Sequence, residues 1–193
     1  RLFVGFNRRF SAHLMEARKR FPDAKVPAQF IYRINAGPLE KDHWSHESKE
    51  GGRLVGEGCH FVDAVCFLSQ SRPAKVFAAG IPIGGGITNE DNFSINIEFE
   101  NGSLGTIIYS SLGNFRLSKE YIEIYSEGKV MTINDFKEVF MNHPNKTENL
   151  SSWRQDKGYD EEIRQVVSAI REGKPSPMSL RDILFSHLVT FKA

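Results

Sequence analysis

The chain has 193 residues, 40% of them apolar and 25% charged, with a net charge of +1 at neutral pH. That length can bury a sizeable core in one domain, or in one domain plus a fragment of another. The balanced charge points to neither a nucleic-acid nor a membrane partner, and no apolar run reaches bilayer length. Residues 2–6, Leu-Phe-Val-Gly-Phe, form a continuous apolar run of the kind found in strands buried on both faces of a parallel sheet. No alternating helices and strands follow to complete such a sheet. Ser11 is placed to cap a basic helix over residues 12–21, which Pro22-Asp23 ends. Residues 25–35 alternate and read as a strand. A loop over 36–52 carries His43, Trp44 and His46, and loops of this length are usually functional or disordered; the aromatic content argues against disorder.

Residues 51–68 begin Gly51-Gly52 and place apolar residues at Val55, Cys59, Val62 and Cys66, and again at Leu54, Phe61, Val65 and Leu68. Spacings of three, four and seven predict a helix with a wide apolar face. Glu57, His60 and Asp63 are three apart and share one polar stripe. Gly56 and Gly58 cost about 1 kcal/mol each inside a helix and suit a close approach to its first turn. Such a stripe is either a working site or a solvated face with weak pairs, and His60 either a catalyst or a satisfied structural histidine. Cys59 and Cys66 lie about 10 Å apart on such a helix, too far for a disulfide. As thiols they fit a reducing compartment, and a cytoplasmic location is expected.

Segments with strand character follow over 75–81, 92–99, 104–111, 120–125, 129–133 and 137–140. Asn101-Gly102 and Glu127-Gly128 mark hairpin turns, so the sheet is expected to be mainly antiparallel. Gly84-Gly85-Gly86 lacks the following helix and basic residue of a phosphate cradle and reads as a turn. Residues 142–158 read as a polar loop. Helices are expected over 159–172, amphipathic and ended by Gly173-Lys174-Pro175, and over 180–191, capped by Ser179.

Phe3-Val4-Gly5-Phe6-Asn7-Arg8-Arg9-Phe10, then a strand, a loop, Gly51-Gly52, His60-x-x-Asp63 and a hairpin sheet, in this order, resemble the Gfo/Idh/MocA oxidoreductases. The resemblance covers nearly the whole chain. It implies an α+β fold: an open, mainly antiparallel β-sheet with helices on one face, as in the C-terminal domain of that family. Residues 1–10 would be the last strand of a nucleotide-binding Rossmann domain and its linker, and 11–193 the substrate-binding and oligomerisation domain. No Gly-x-Gly-x-x-Gly follows a strand and no Glu-Lys-Pro occurs, so NAD or NADP would be bound mainly by a Rossmann domain outside this chain, with Asn7, Arg8 and Arg9 on its cofactor side.

The same resemblance implies oxidation of a secondary alcohol on a sugar or cyclitol, with His60 as acid/base. The family pattern Gly-Gly-x-x-x-Asp-x-Gly-x-His has an Asp where this chain has Gly56; Glu57 follows one residue later, about 100° further round a helix. His60 suits proton transfer because its unperturbed pKa is near 6.5. Asp63 is a candidate to orient it, or to hold the helix edge. His43, Trp44 and His46 are candidate sugar contacts, since a Trp beside polar donors offers a ring face and hydrogen bonds; a loop anchored by a buried Trp reads equally well. No metal site is expected: His43 and His46 would need Cys59 and His60 to converge, and adjacent helical residues diverge. The alternative function is a non-catalytic domain for oligomerisation through the sheet, or for ligand binding. The expected partners are a sugar-like molecule, the chain's own Rossmann domain and further copies of itself.

Overall fold

The computed structural model describes residues 2–21, 23–38, 52–81 and 91–193. Among them, eight strands form one open sheet: β1 (Gln29–Asn35), β2 (Pro73–Gly80), β3 (Asn92–Phe99), β4 (Leu104–Ser110), β5 (Glu120–Ser126), β6 (Lys129–Asn134), β7 (Glu138–His143) and β8 (Lys146–Asn149). Their order is β2-β3-β4-β1-β5-β6-β7-β8. Only β1 and β4 run parallel; every other neighbouring pair is antiparallel. The antiparallel pairs join strands consecutive in sequence, except β1 with β5. The parallel pair arises because the chain leaves β1, passes through the helix Cys59–Ser69 to the sheet edge, and comes back through β2 and β3 to lie beside β1 as β4.

Among the described residues four α-helices accompany the sheet: α1 (Ala12–Arg20), α2 (Cys59–Ser69), α3 (Tyr159–Arg171) and α4 (Leu180–Lys192). Alternation along the strands separates two faces. Phe30, Tyr32, Ile34, Ile95, Ile97, Ile107, Ile122, Ile124, Met131 and Ile133 are buried in the main core with Phe61, Val62, Val65 and Leu68 of α2. Among the described residues no helix lies on the opposite face, which exposes Phe77, Leu104, Ile108 and Phe140. The α+β architecture expected from the sequence is therefore present, helices to one side.

Three local differences from the sequence reading have physical causes. The strand expected over 25–35 starts at Gln29, because Pro27 has no N–H for a ladder and the Asp23 carboxylate accepts from the Lys25 N–H in a turn (2.9 Å). The loop expected over 142–158 contains β8, whose Lys-Thr-Glu-Asn sequence has no apolar alternation because it is a polar edge strand. Residues 2–6 form no strand; the Phe6 N–H donates to the Val4 carbonyl (2.8 Å) in a tight turn. Asn7–Phe10 then make a 3₁₀ turn that is buried in this domain. Gly158 is what lets it dock: its φ is +85°, and a Cβ there would lie 2.3 Å from the Asn7 carbonyl oxygen.

No helix among the described residues is long and apolar enough to cross a membrane.

Candidate active site

The helix expected to begin at Gly51 opens irregularly. Leu54–Gly58 is a π-helical turn that leads directly into α2. Such turns are rare and frequent at functional sites. Gly58 permits this one: a Cβ there would sit 3.1 Å from both Leu54 Cδ1 and Phe93 Cζ. The close approach that the glycines suggested is thus made at Gly58 by a core aromatic. Gly56, where the family pattern has Asp, is exposed.

Glu57 lies on this turn and faces the ends of β4 and β5. Its carboxylate accepts a hydrogen bond from the Tyr109 hydroxyl and another from Lys119 Nζ at 2.6 Å. Arg53 Nη2 is 3.7 Å away, and the Arg53 guanidinium lies 4.8 Å over the Tyr109 ring. Arg53 also donates to the Gly37 carbonyl (3.1 Å) just beyond β1. Tyr109 stacks on Phe93 at 4.8 Å, which fixes the hydroxyl. Burial alone would raise the Glu57 carboxyl; the bonds from Lys119 and Tyr109 and the charge of Arg53 outweigh it and hold the group below its ordinary value. Glu57 is therefore an anion at neutral pH. Burial and that anion push the Tyr109 hydroxyl up, so it remains a proton donor.

His60 is one turn further on, in the first turn of α2. Burial, reinforced by the Arg8 charge, pushes its pKa down to about 4, while Glu57 and Glu120 pull weakly the other way. The imidazole is neutral at pH 7. Among the described residues its Nδ1 is buried without a hydrogen-bond partner, and Phe6 packs edge-on against the ring at 5.7 Å. An unpaired buried ring nitrogen costs free energy.

Asp63 faces elsewhere. Its carboxylate receives Arg9 Nε at 2.9 Å and Nη2 at 2.5 Å, and the Ser186 hydroxyl at 2.8 Å. The stripe Glu57–His60–Asp63 is thus divided among three environments, and Asp63 ties the Asn7–Phe10 turn and α4 to α2. Arg8 is fixed in the same way: it makes two bonds to Glu120 (2.7 and 2.9 Å), beside the Tyr32 hydroxyl at 2.5 Å and Lys157 Nζ at 2.8 Å. Burial would raise Glu120, but Arg8 and Lys157 prevail and hold it at about 2. Asn7 donates to the Lys157 carbonyl (2.8 Å). The polar groups of Asn7, Arg8 and Arg9, the residues expected on the cofactor side, are engaged inside the domain.

His43, Trp44 and His46 lie outside the described residues. Among the described residues no group of acidic, His and Cys side chains is arranged to hold a metal ion, and both cysteines are free thiols. Arg53, Tyr109 and Lys119 were not singled out by sequence. Tyr109 reads as one more inward position of an alternating strand, and Lys119 as a loop residue. Glu120 did leave a signal: it shares the inward face of its strand with Ile122 and Ile124, which marks a buried acid in need of a cation.

No curated protein sequence matches the chain. Solved structures do. An oxidoreductase domain protein from Kribbella flavida superposes with a TM-score of 0.78 at 21% identity, over 97% of this chain and 61% of its own. An oxidoreductase from Agrobacterium radiobacter, in complex with NAD+, L-tartaric acid and magnesium, superposes at 0.74 with 15% identity, over 100% of this chain and 61% of its own. A putative myo-inositol dehydrogenase from Sinorhizobium meliloti 1021 superposes at 0.74 with 20% identity, over 100% of this chain and 62% of its own. The chain thus spans about three fifths of these structures, and the likeness shows a shared fold. The profile described as the GFO/IDH/MocA C-terminal domain matches residues 25–131, more than half of the sequence, and the chain belongs to the Gfo/Idh/MocA oxidoreductase family as a C-terminal domain.

Proposed function

We propose that this domain is the substrate side of an NAD(P)-dependent dehydrogenase that oxidises a secondary alcohol of a sugar or cyclitol. The observation that carries this reading is His60: a neutral imidazole with an unsatisfied buried nitrogen, one turn from an anionic Glu57 held by Lys119 and Tyr109. A neutral imidazole can accept the hydroxyl proton as the carbon is oxidised. Glu57, by its charge, favours the imidazolium that results. Lys119, only half-buried, offers a donor to a neighbouring hydroxyl. Asp63 takes part at one remove, by anchoring α2 through Arg9. His43, Trp44 and His46 remain candidates for the sugar's other contacts.

The dinucleotide is assigned to a Rossmann domain outside this chain. Asn7, Arg8 and Arg9 contribute by rigidifying the segment on which that domain would rest. The apolar stripe Leu180, Leu184, Leu188 and Phe191 on α4 is exposed here and suits the same contact. A cytoplasmic setting fits the two free thiols. The test is reduction of NAD or NADP by this chain joined to a nucleotide-binding domain, across a panel of sugars, sugar acids and cyclitols. Saturable turnover of one class supports the reading; a fully bound cofactor with no turnover of any polyol removes it.

A second reading, self-association through the sheet, is favoured by the uncovered face bearing Phe77, Leu104, Ile108 and Phe140. It is compatible with the first.

A further inference from the structure

On the other half of α2, away from His60, a cavity of about 240 Å³ opens between α1, α2 and α4. Three arginines line it: Arg9 from the 3₁₀ turn, Arg18 from α1 and Arg181 from α4. We propose that this cavity is a binding site for a small oxyanion, a phosphate or carboxylate group, clamped by Arg18 and Arg181.

The three guanidinium groups are not equivalent. Arg9 is immobilised by Asp63, with a third contact to Asp182 at 3.5 Å. Arg18 and Arg181 have no carboxylate partner among the described residues. Each instead lies against an aromatic ring of the cavity wall, Arg18 at 4.5 Å over Phe67 and Arg181 at 5.1 Å over Phe185. Rings orient a guanidinium by cation–π attraction but do not neutralise it. They also leave the edge of the fork, with its N–H donors, free for an acceptor. Asp182 is the one acid on the wall among the described residues, and Arg9 already engages it. Setting Arg9, Arg18 and Arg181 against Asp63 and Asp182 leaves one positive charge unmatched.

The cavity wall thus carries a net positive charge at its rim. Burial works against the charged form of Arg18; Asp182 offsets part of this, and the neighbouring Arg9 charge adds to it. An anion between the two forks offsets that charge. Oxyanions match the guanidinium geometry, because paired N–H donors meet paired oxygens. The volume is below that of sites for drug-sized ligands, so a dinucleotide does not fit, whereas a single phosphate or short carboxylate does.

The experiment titrates inorganic phosphate and, separately, succinate into this chain by calorimetry, with sodium chloride matched for ionic strength. We expect saturable binding of one or both beyond the chloride control; the tighter of the two identifies the group. Arg18→Gln and Arg181→Gln should each weaken it about tenfold or more. Arg18→Lys, which keeps the charge without the fork, should fall between. Both side chains are surface-accessible, so the unfolding midpoint of each variant should stay near that of the parent. No saturable heat beyond chloride for either anion overturns the proposal. So does unchanged affinity in the Arg18→Gln/Arg181→Gln double variant.

Discussion

Glu57 and Lys119 meet at 2.6 Å across the seam between the π-helical turn before α2 and the start of β5. Lys119 thereby holds Glu57 one turn from His60, whose protonated form that anion favours. In the wild-type chain His60 should titrate at about 4 by NMR, because burial and Arg8 oppose its protonation. Glu57→Gln removes a favourable anion and leaves Lys119 uncompensated, so the His60 pKa should fall further. A His60 that titrates near 6.5, or that moves up in the variant, contradicts the arrangement described.

The Glu120 cluster should govern acid stability. Its folded-state pKa of about 2 lies below the ordinary 4.5, so its stabilisation is present above about pH 5 and is lost as the pH falls toward 2. Glu120→Gln leaves Arg8 and Lys157 buried without their anion, which costs about 3–5 kcal/mol. Urea midpoints at pH 7 and pH 3 check both statements: the variant should be the less stable at pH 7, and the gap should narrow at pH 3.

Gly158 should tolerate no side chain. Its φ of +85° and the 2.3 Å approach of a Cβ to the Asn7 carbonyl predict a loss of about 2–4 kcal/mol for Gly158→Ala. Amide exchange should increase most over residues 7–10, the turn that rests on it.

The uncovered sheet face should drive self-association. Sedimentation at tens of micromolar should show at least a dimer. Leu104→Lys with Ile108→Lys, two positions on one face of β4 that are both more than 40% exposed, should give monomer with an unchanged unfolding midpoint. Wild-type monomer at that concentration removes the reading.

Most of the sheet could be read from the sequence, because alternation and Asn-Gly or Glu-Gly turns are local signals. The parallel pairing of β1 with β4 could not, since it depends on residues some 75 positions apart. The polar stripe Glu57–His60–Asp63 was visible as a spacing, but spacing assumes a regular helix. The π-helical turn breaks that regularity, and the partners that divide the stripe, Tyr109, Lys119 and Arg9, come from elements distant in sequence. Arg8 and Arg9 stood out through the family resemblance. Their roles as buried ion-pair partners rest on Glu120 and Asp63, which only the folded chain brings to them.

The role of His60 can be measured through the pH dependence of kcat, in this chain joined to a nucleotide-binding domain, for the parent and for His60→Ala. Loss of a positioned base costs about 10²–10⁴ in rate. We expect kcat to fall by that order, the acidic limb of the profile to disappear, and NAD(P)H affinity to stay nearly unchanged. Near-normal kcat in His60→Ala, with the acidic limb intact, would contradict the assignment and move the base to another residue of the Glu57–Lys119–Tyr109 cluster.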